Sequence, residues 1–178
     1  MGRYEIRLSG SGGQGIILAG RILAYAAAIY EGKNAVQSQS YGPEARGGAS
    51  RAEVIISEED IDYPKCTSLD ALLVLTQESL NKYLKDLKEG GILLADSDTV
   101  KSIPAGKYRL YHVPFISTAT NTIGKGIVAN IVALGSLVKA TRIVSEESIT
   151  QAVLNRVPKG TEELNINAIK SGFALIND

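Results

Sequence analysis

The chain has 178 residues, 44 % of them hydrophobic, and its nineteen Lys and Arg balance nineteen Asp and Glu to a formal net charge of zero. That balance gives no global attraction toward nucleic acid or an anionic membrane, and the length suits a single domain over residues 1–178. One cysteine, Cys66, and one histidine, His112, exclude an internal disulfide and any zinc or iron–sulfur site built from several Cys or His ligands of this chain, and point to a reducing, cytoplasmic setting.

In chain order, Tyr4, Ile6 and Leu8 alternate with Glu5 and Arg7, the period of two of a first strand. A glycine cluster follows at once, and residues 16–30, "IILAGRILAYAAAIY", carry one charge in fifteen positions and read as a helix buried on most sides. A membrane span needs roughly 20 residues with few charges. This stretch contains Arg21 and follows the charged "RYEIR", so neither a span nor a targeting segment is expected.

Gly32 and Asn34 mark a helix stop, after which "AVQSQS" and "RAEVIIS" are strand candidates. "ALLVLT" is a continuous apolar run suited to a strand covered on both faces. In "QESLNKYLKDLKEGG", Leu80, Leu84 and Leu87 recur at helical spacing until Gly90 and Gly91, which predicts a helix to that point. "ILLAD" and "KYRLYHV" are further strands. The C-terminal third reads as helical. Ile127, Ile131, Leu134 and Val138 form one apolar stripe, Gly126, Ala129 and Ala133 a small-residue face open to close backbone approach, and Ser145 a start signal for a helix over "EESITQAVL". A last helix fits "TEELNINAIKSGFALI". The fold class expected is α/β: a Rossmann-like three-layer domain with a mostly parallel sheet and a helical C-terminal third.

Gly10, Gly12 and Gly15 satisfy G-x-G-x-x-G between a strand and a helix, the setting in which amides at a helix N-terminus face an anion. A dinucleotide also needs an acid about 20 residues on, at the end of the second strand. That strand ends in Gln37, Ser38, Gln39 and Ser40, which argues against bound NAD or FAD. Gln14 and Gly15 stand where a phosphate-binding Lys and Ser/Thr would be needed for ATP. The plain structural alternative is a tight turn with close helix packing.

The second glycine loop, "SYGPEARGGAS", joins two strands and holds a Glu44/Arg46 pair. It is either a solvated hairpin loop or a functional one, in which Gly47 and Gly48 permit close approach and Arg46 offers a bidentate donor for carboxylate or phosphate. No Cys–His pair and no serine triad beyond the lone histidine suggest catalysis by this chain itself. Tyr41, Glu44, His112 and Cys66 read more simply as structural positions.

Together "GSGGQGIILAGRILAYAAA", "SQSYGPEARGGASRAEVIIS", "IDYP", "LKEGGILLADSD" and "VANIVALGSLVK" resemble the gamma subunits of the 2-oxoacid:ferredoxin oxidoreductases, over nearly the whole chain; "SYGPEARGG" is most similar to the 2-oxoglutarate branch. The resemblance implies a subunit of an oxidative decarboxylase that yields succinyl-coenzyme A, carbon dioxide and reduced ferredoxin. It implies no cofactor held by this chain alone: thiamine diphosphate, magnesium and iron–sulfur clusters sit in alpha and beta partner subunits, with a delta subunit where one is present. Coenzyme A is a co-substrate, ferredoxin the acceptor of the complex, and neither nucleic acid nor membrane a partner. A surface made for such partners can pair with itself in their absence, giving a homodimer of the isolated chain. Carried over, Gly10, Gly12, Gly13, Gln14 and Gly15 form the turn at the helix N-terminus. Tyr41, Gly42, Pro43, Glu44, Arg46, Gly47 and Gly48 form a loop directed at the thiamine site or the coenzyme A path.

Overall fold

The computed structural model describes residues 2–40 and 48–177. Six strands form one sheet in the order β2-β3-β1-β4-β5-β6. They are β1 (Tyr4–Ser11), β2 (Asn34–Ser40), β3 (Ala49–Ser57), β4 (Leu69–Val74), β5 (Leu87–Asp96) and β6 (Arg109–Val113). β1, β4, β5 and β6 pair in parallel, while β3 lies antiparallel between β1 and β2. Only β3 runs against the rest, so the sheet is mostly parallel in strand direction although mixed in pairing.

Helix α1 (Ile16–Tyr25) follows β1, runs on into a π-helical segment Ala26–Tyr30, and leads outward to β2. Helix α2 (Gln77–Tyr83) links β4 to β5 on the other side. Parallel crossovers are right-handed, so moving outward in opposite directions from β1 and β4 puts α1 and α2 on opposite faces. The carboxyl ends of β1 and β4 therefore flank a topological switch point, where α/β sheets commonly bind ligands. Helix α3 (Phe115–Ser117), continued by a π-helical segment Thr118–Ile123, precedes α4 (Ala129–Thr141), α5 (Glu146–Arg156) and α6 (Glu162–Ala174). These join α1 over a large aliphatic core that includes Ile6, Leu8, Ile22, Leu23, Val54 and Leu134. A smaller core under α2 holds Leu69, Leu72, Leu80, Tyr83 and Leu93. The result is three layers with a helical C-terminal third, as the patterning predicts.

Four expectations change. The helix predicted as far as Gly90 stops at Tyr83, and after a 3-10 turn Leu87 opens β5 opposite Leu69. Three leucines at helical spacing could not distinguish a helix from a helix followed by a strand. Ile127 leaves the expected stripe and is 81 % exposed, because α4 begins only at Ala129 after a 3-10 turn. The close approach of α4 and α6 falls at Gly135 and Gly172 and not at Gly126; a Cβ at Gly172 would collide with the carbonyl of Val132. The helical turns from Phe115 to Ile123 had no periodic signal and were not expected.

Candidate functional site

The site begins where β1 ends. Gly10 is still in the sheet, paired with Ser50, while Gly12 and Gly13 are exposed in the turn. The Gln14 side chain closes that turn: its Oε1 accepts the Ser11 N–H at 2.7 Å. Gly15 is the N-cap of α1 at φ 74°, ψ 22°, a left-handed conformation that suits glycine, and no side chain caps the helix. Its carbonyl accepts two N–H groups, from Ala19 at 3.1 Å in the first turn of α1 and from the Asn130 side chain at 3.1 Å.

Asn130 comes from the start of α4. Together with Gly13, Gly15 and Leu18 from the turn and α1, and with Ile127, Ile131, Val157, Pro158, Thr161, Leu164 and Asn165 from the C-terminal third, it lines a cleft of about 310 Å³. None of the described lining residues carries an ionisable side chain. This surface can bind an apolar chain beside the helix N-terminus, but it supplies no general acid, base or nucleophile of its own. A larger hollow of about 420 Å³ lies at the other end of α4, but its charges are spoken for. Lys139 pairs with Glu146 at 2.9 Å, and Glu31 pairs with Lys33 at 2.7 Å and accepts the Ser145 N–H. Burial opposes charge on Glu31, yet these contacts hold its carboxyl below the usual range.

The sheet register brings the two strand ends that flank the second glycine loop to the same edge. Ser11 pairs with Ala49 and Ser40 with Arg51, so the chain leaves and re-enters the sheet around residues 41–48 beside the turn that follows β1. Of that loop's predicted residues, Gly48 is half-buried; Tyr41, Gly42, Pro43, Glu44, Arg46 and Gly47 lie outside the described residues. Where the chain re-enters, the Ser9 hydroxyl contacts the Ser50 carbonyl at 2.9 Å and Ser79 at 2.8 Å, and Ser79 contacts Thr76 at 2.8 Å. This hydroxyl chain ties β1 and the start of β3 to the N-terminus of α2.

The register also explains why the dinucleotide reading fails. The ribose-binding acid belongs at the end of a strand next to β1. Here β3 occupies that place and β2 lies two strand spacings away, roughly 10 Å. The end of β2 carries amides engaged with one another, Gln37 Nε2 lying 3.4 Å from Gln39 Oε1.

The Cys66 thiol is held in its protonated form. Burial, reinforced by the Glu53 and Glu5 carboxylates, pushes its thiol up to about 12. The His112 ring bonds the Val100 carbonyl at 2.8 Å from edge strand β6. Among the described residues, no three His, Cys, Asp or Glu side chains are grouped to hold a metal ion, and no helix is long and apolar enough to cross a membrane. Reading the sequence missed Asn130, Thr161 and Asn165. A signal existed for the first: Asn130 is the single polar side chain in "GIVANIVALG", and a polar residue in such a run needs a specific partner.

Residues 5–175 match the model of the pyruvate ferredoxin/flavodoxin oxidoreductase family. The chain belongs to that family. Within it, the 2-oxoglutarate synthase subunit KorC of Methanocaldococcus jannaschii is 53 % identical over 178 residues, spanning 99 % of this chain and 95 % of the relative. The crystal structure of the keto/oxoacid ferredoxin oxidoreductase gamma subunit of Geobacter sulfurreducens PCA superposes with a TM-score of 0.91 at 58 % identity, covering 98 % of this chain and 96 % of that one. The fold also recurs, with a TM-score of 0.87 at 23 % identity, in 31 % of a chain of the 2-oxoglutarate:ferredoxin oxidoreductase of Magnetococcus marinus, a structure with 2-oxoglutarate, coenzyme A and succinyl-CoA bound; 98 % of this chain is covered. The glycine turn and the cleft are thus features of an oxidoreductase-family domain.

Proposed function

We propose that this chain is the gamma subunit of a cytoplasmic 2-oxoacid:ferredoxin oxidoreductase that converts 2-oxoglutarate and coenzyme A to succinyl-coenzyme A and carbon dioxide. The near-full-length identity to a 2-oxoglutarate synthase subunit carries the reading and favours 2-oxoglutarate over pyruvate or 2-oxoisovalerate. The chemistry belongs to the assembled complex. Alpha and beta subunits supply thiamine diphosphate, magnesium and iron–sulfur clusters, and ferredoxin takes the electrons. This chain contributes to the coenzyme A side, through the glycine turn Gly12–Gly15, the loop Tyr41–Gly48 and the cleft beside them. The described lining of the cleft, without ionisable groups, supports a binding rather than a catalytic part.

The test is reconstitution of the partner subunits with and without this chain, followed by 2-oxoglutarate- and coenzyme A-dependent reduction of ferredoxin. Activity is expected only when the chain is present; full activity without it overturns the reading. A pure scaffold is the second reading, favoured by the same lack of ionisable lining. Calorimetry of the complex carrying Arg46→Ala separates the two, since unchanged coenzyme A affinity there and across both glycine loops would leave only the scaffold.

A further inference from the structure

The contact between Asn130 and Gly15 is too specific for simple packing. Asn130 is 5 % exposed and stands at the second position of α4. Its Nδ2 donates to the Gly15 carbonyl at 3.1 Å and its Oδ1 accepts the Ile131 N–H at 2.9 Å. The opposite orientation of the amide would set two donors against each other at Ile131, so the hydrogen bonds fix which end faces Gly15. A Cβ on Gly15 would collide with that amide, and the positive φ of Gly15 independently disfavours one. Glycine and asparagine therefore specify each other across 115 positions of sequence.

The consequence reaches the cleft. A trans peptide is planar, with its carbonyl and N–H pointing in opposite directions. Two donors on the Gly15 carbonyl, Asn130 and Ala19, hold that plane and so fix the aim of the Ile16 N–H away from the helix. Gly15 and Asn130 are both walls of the 310 Å³ cleft. We propose that Asn130 is a positioning residue for the coenzyme A side of the reaction: it sets the peptide plane at the mouth of α1 and, with it, the wall against which the acyl acceptor binds. The inference rests on the functional reading above.

The test compares Asn130→Ala and Asn130→Asp with the natural chain in the assembled complex, reading KM for coenzyme A against kcat, with Gly12→Asp as a separate probe of the turn. Among the described residues beyond its chain neighbours, no atom lies within 4 Å of the place a Cβ on Gly12 would take, so a side chain there adds charge without a clash with them. For Asn130→Ala, KM for coenzyme A is expected to rise roughly threefold to tenfold, the scale of one lost neutral hydrogen bond, with kcat within about twofold. Asn130→Asp keeps the shape but sets an acceptor against the Gly15 carbonyl in place of the donor, so it shows at least the same rise, and the melting temperature of each variant complex reads any loss of folding separately. If both Asn130 variants lower only the melting temperature while Gly12→Asp raises KM, Asn130 is merely structural and the inference falls alone. If no variant moves KM, the coenzyme A reading falls and takes the inference with it.

Discussion

Beneath α1, α4, α5 and α6 the sheet is sealed by aliphatic side chains such as Ile6, Leu8, Val54 and Leu73, whereas on the face toward α2 the same strands bury Glu5, Arg7, Ser9 and Glu53. Arg7 and Glu53 are 5 % and 8 % exposed. The Arg7 guanidinium donates to Glu53 at 2.6 and 2.9 Å, pairs with Asp86 and stacks 4.8 Å from the Tyr83 ring centroid. Burial opposes its charge, but Asp86 and Glu53 more than compensate and raise its pKa. Glu5 is held by Arg3 at 2.6 Å and by the Thr67 and Ser68 N–H groups at 2.6 and 2.9 Å. The aliphatic face depends on volume and shape, which neighbours can partly readjust. The polar face depends on named partners, because a buried charge that loses its mate has no water to turn to.

The sharpest test is Arg7→Ala. It leaves Glu53 buried without its guanidinium and is expected to cost about 3–5 kcal/mol in denaturant unfolding. A loss below about 1 kcal/mol would mean that the polar face tolerates change as the aliphatic one does. On the aliphatic side, Gly172→Ala forces α6 away from α4, and a smaller loss of roughly 1–3 kcal/mol is expected by the same measurement, from overpacking alone. The order of the two effects is the prediction.

The smallest effect is acidic. Burial raises the Glu5 pKa, but Arg3 and the two backbone N–H groups outweigh it and hold the carboxyl below its ordinary 4.5. A carboxylate with a lowered folded pKa contributes stability that is fully present above the unfolded value and is lost as pH falls through the folded one. Melting temperatures of the natural chain and Glu5→Gln should therefore differ most above the ordinary carboxylate pKa and converge as pH falls below it through the lowered folded value. A gap that is constant across that range would assign Glu5 a role independent of its charge.

Much of this contrast was half visible in the sequence. The alternation in "YEIRL" separates Ile6 and Leu8 from Glu5 and Arg7 correctly, but alternation is normally read as core against solvent, and here both sides are buried. The charges are inside because Glu53, Asp86, Thr67 and Ser68, each distant in the chain, come to meet them. The glycine turn was legible for a similar reason of locality: "GSGGQG" between a strand and a helix dictates its own geometry. Its cleft was not, since the opposite wall is contributed by residues 127–165.

By itself, then, the sequence determined the strands, the turn after β1, the buried first helix, the helical last third and the family resemblance, all of which rest on residues close to one another in the chain or on patterns repeated along it. Tertiary structure alone decided that β3 stands between β1 and β2, removing the place where a dinucleotide's ribose would be held, and that Asn130 reaches Gly15. Strand order and buried polar partnerships depend on which segments bury each other's surface, and that is settled by packing across the whole chain rather than by any local preference.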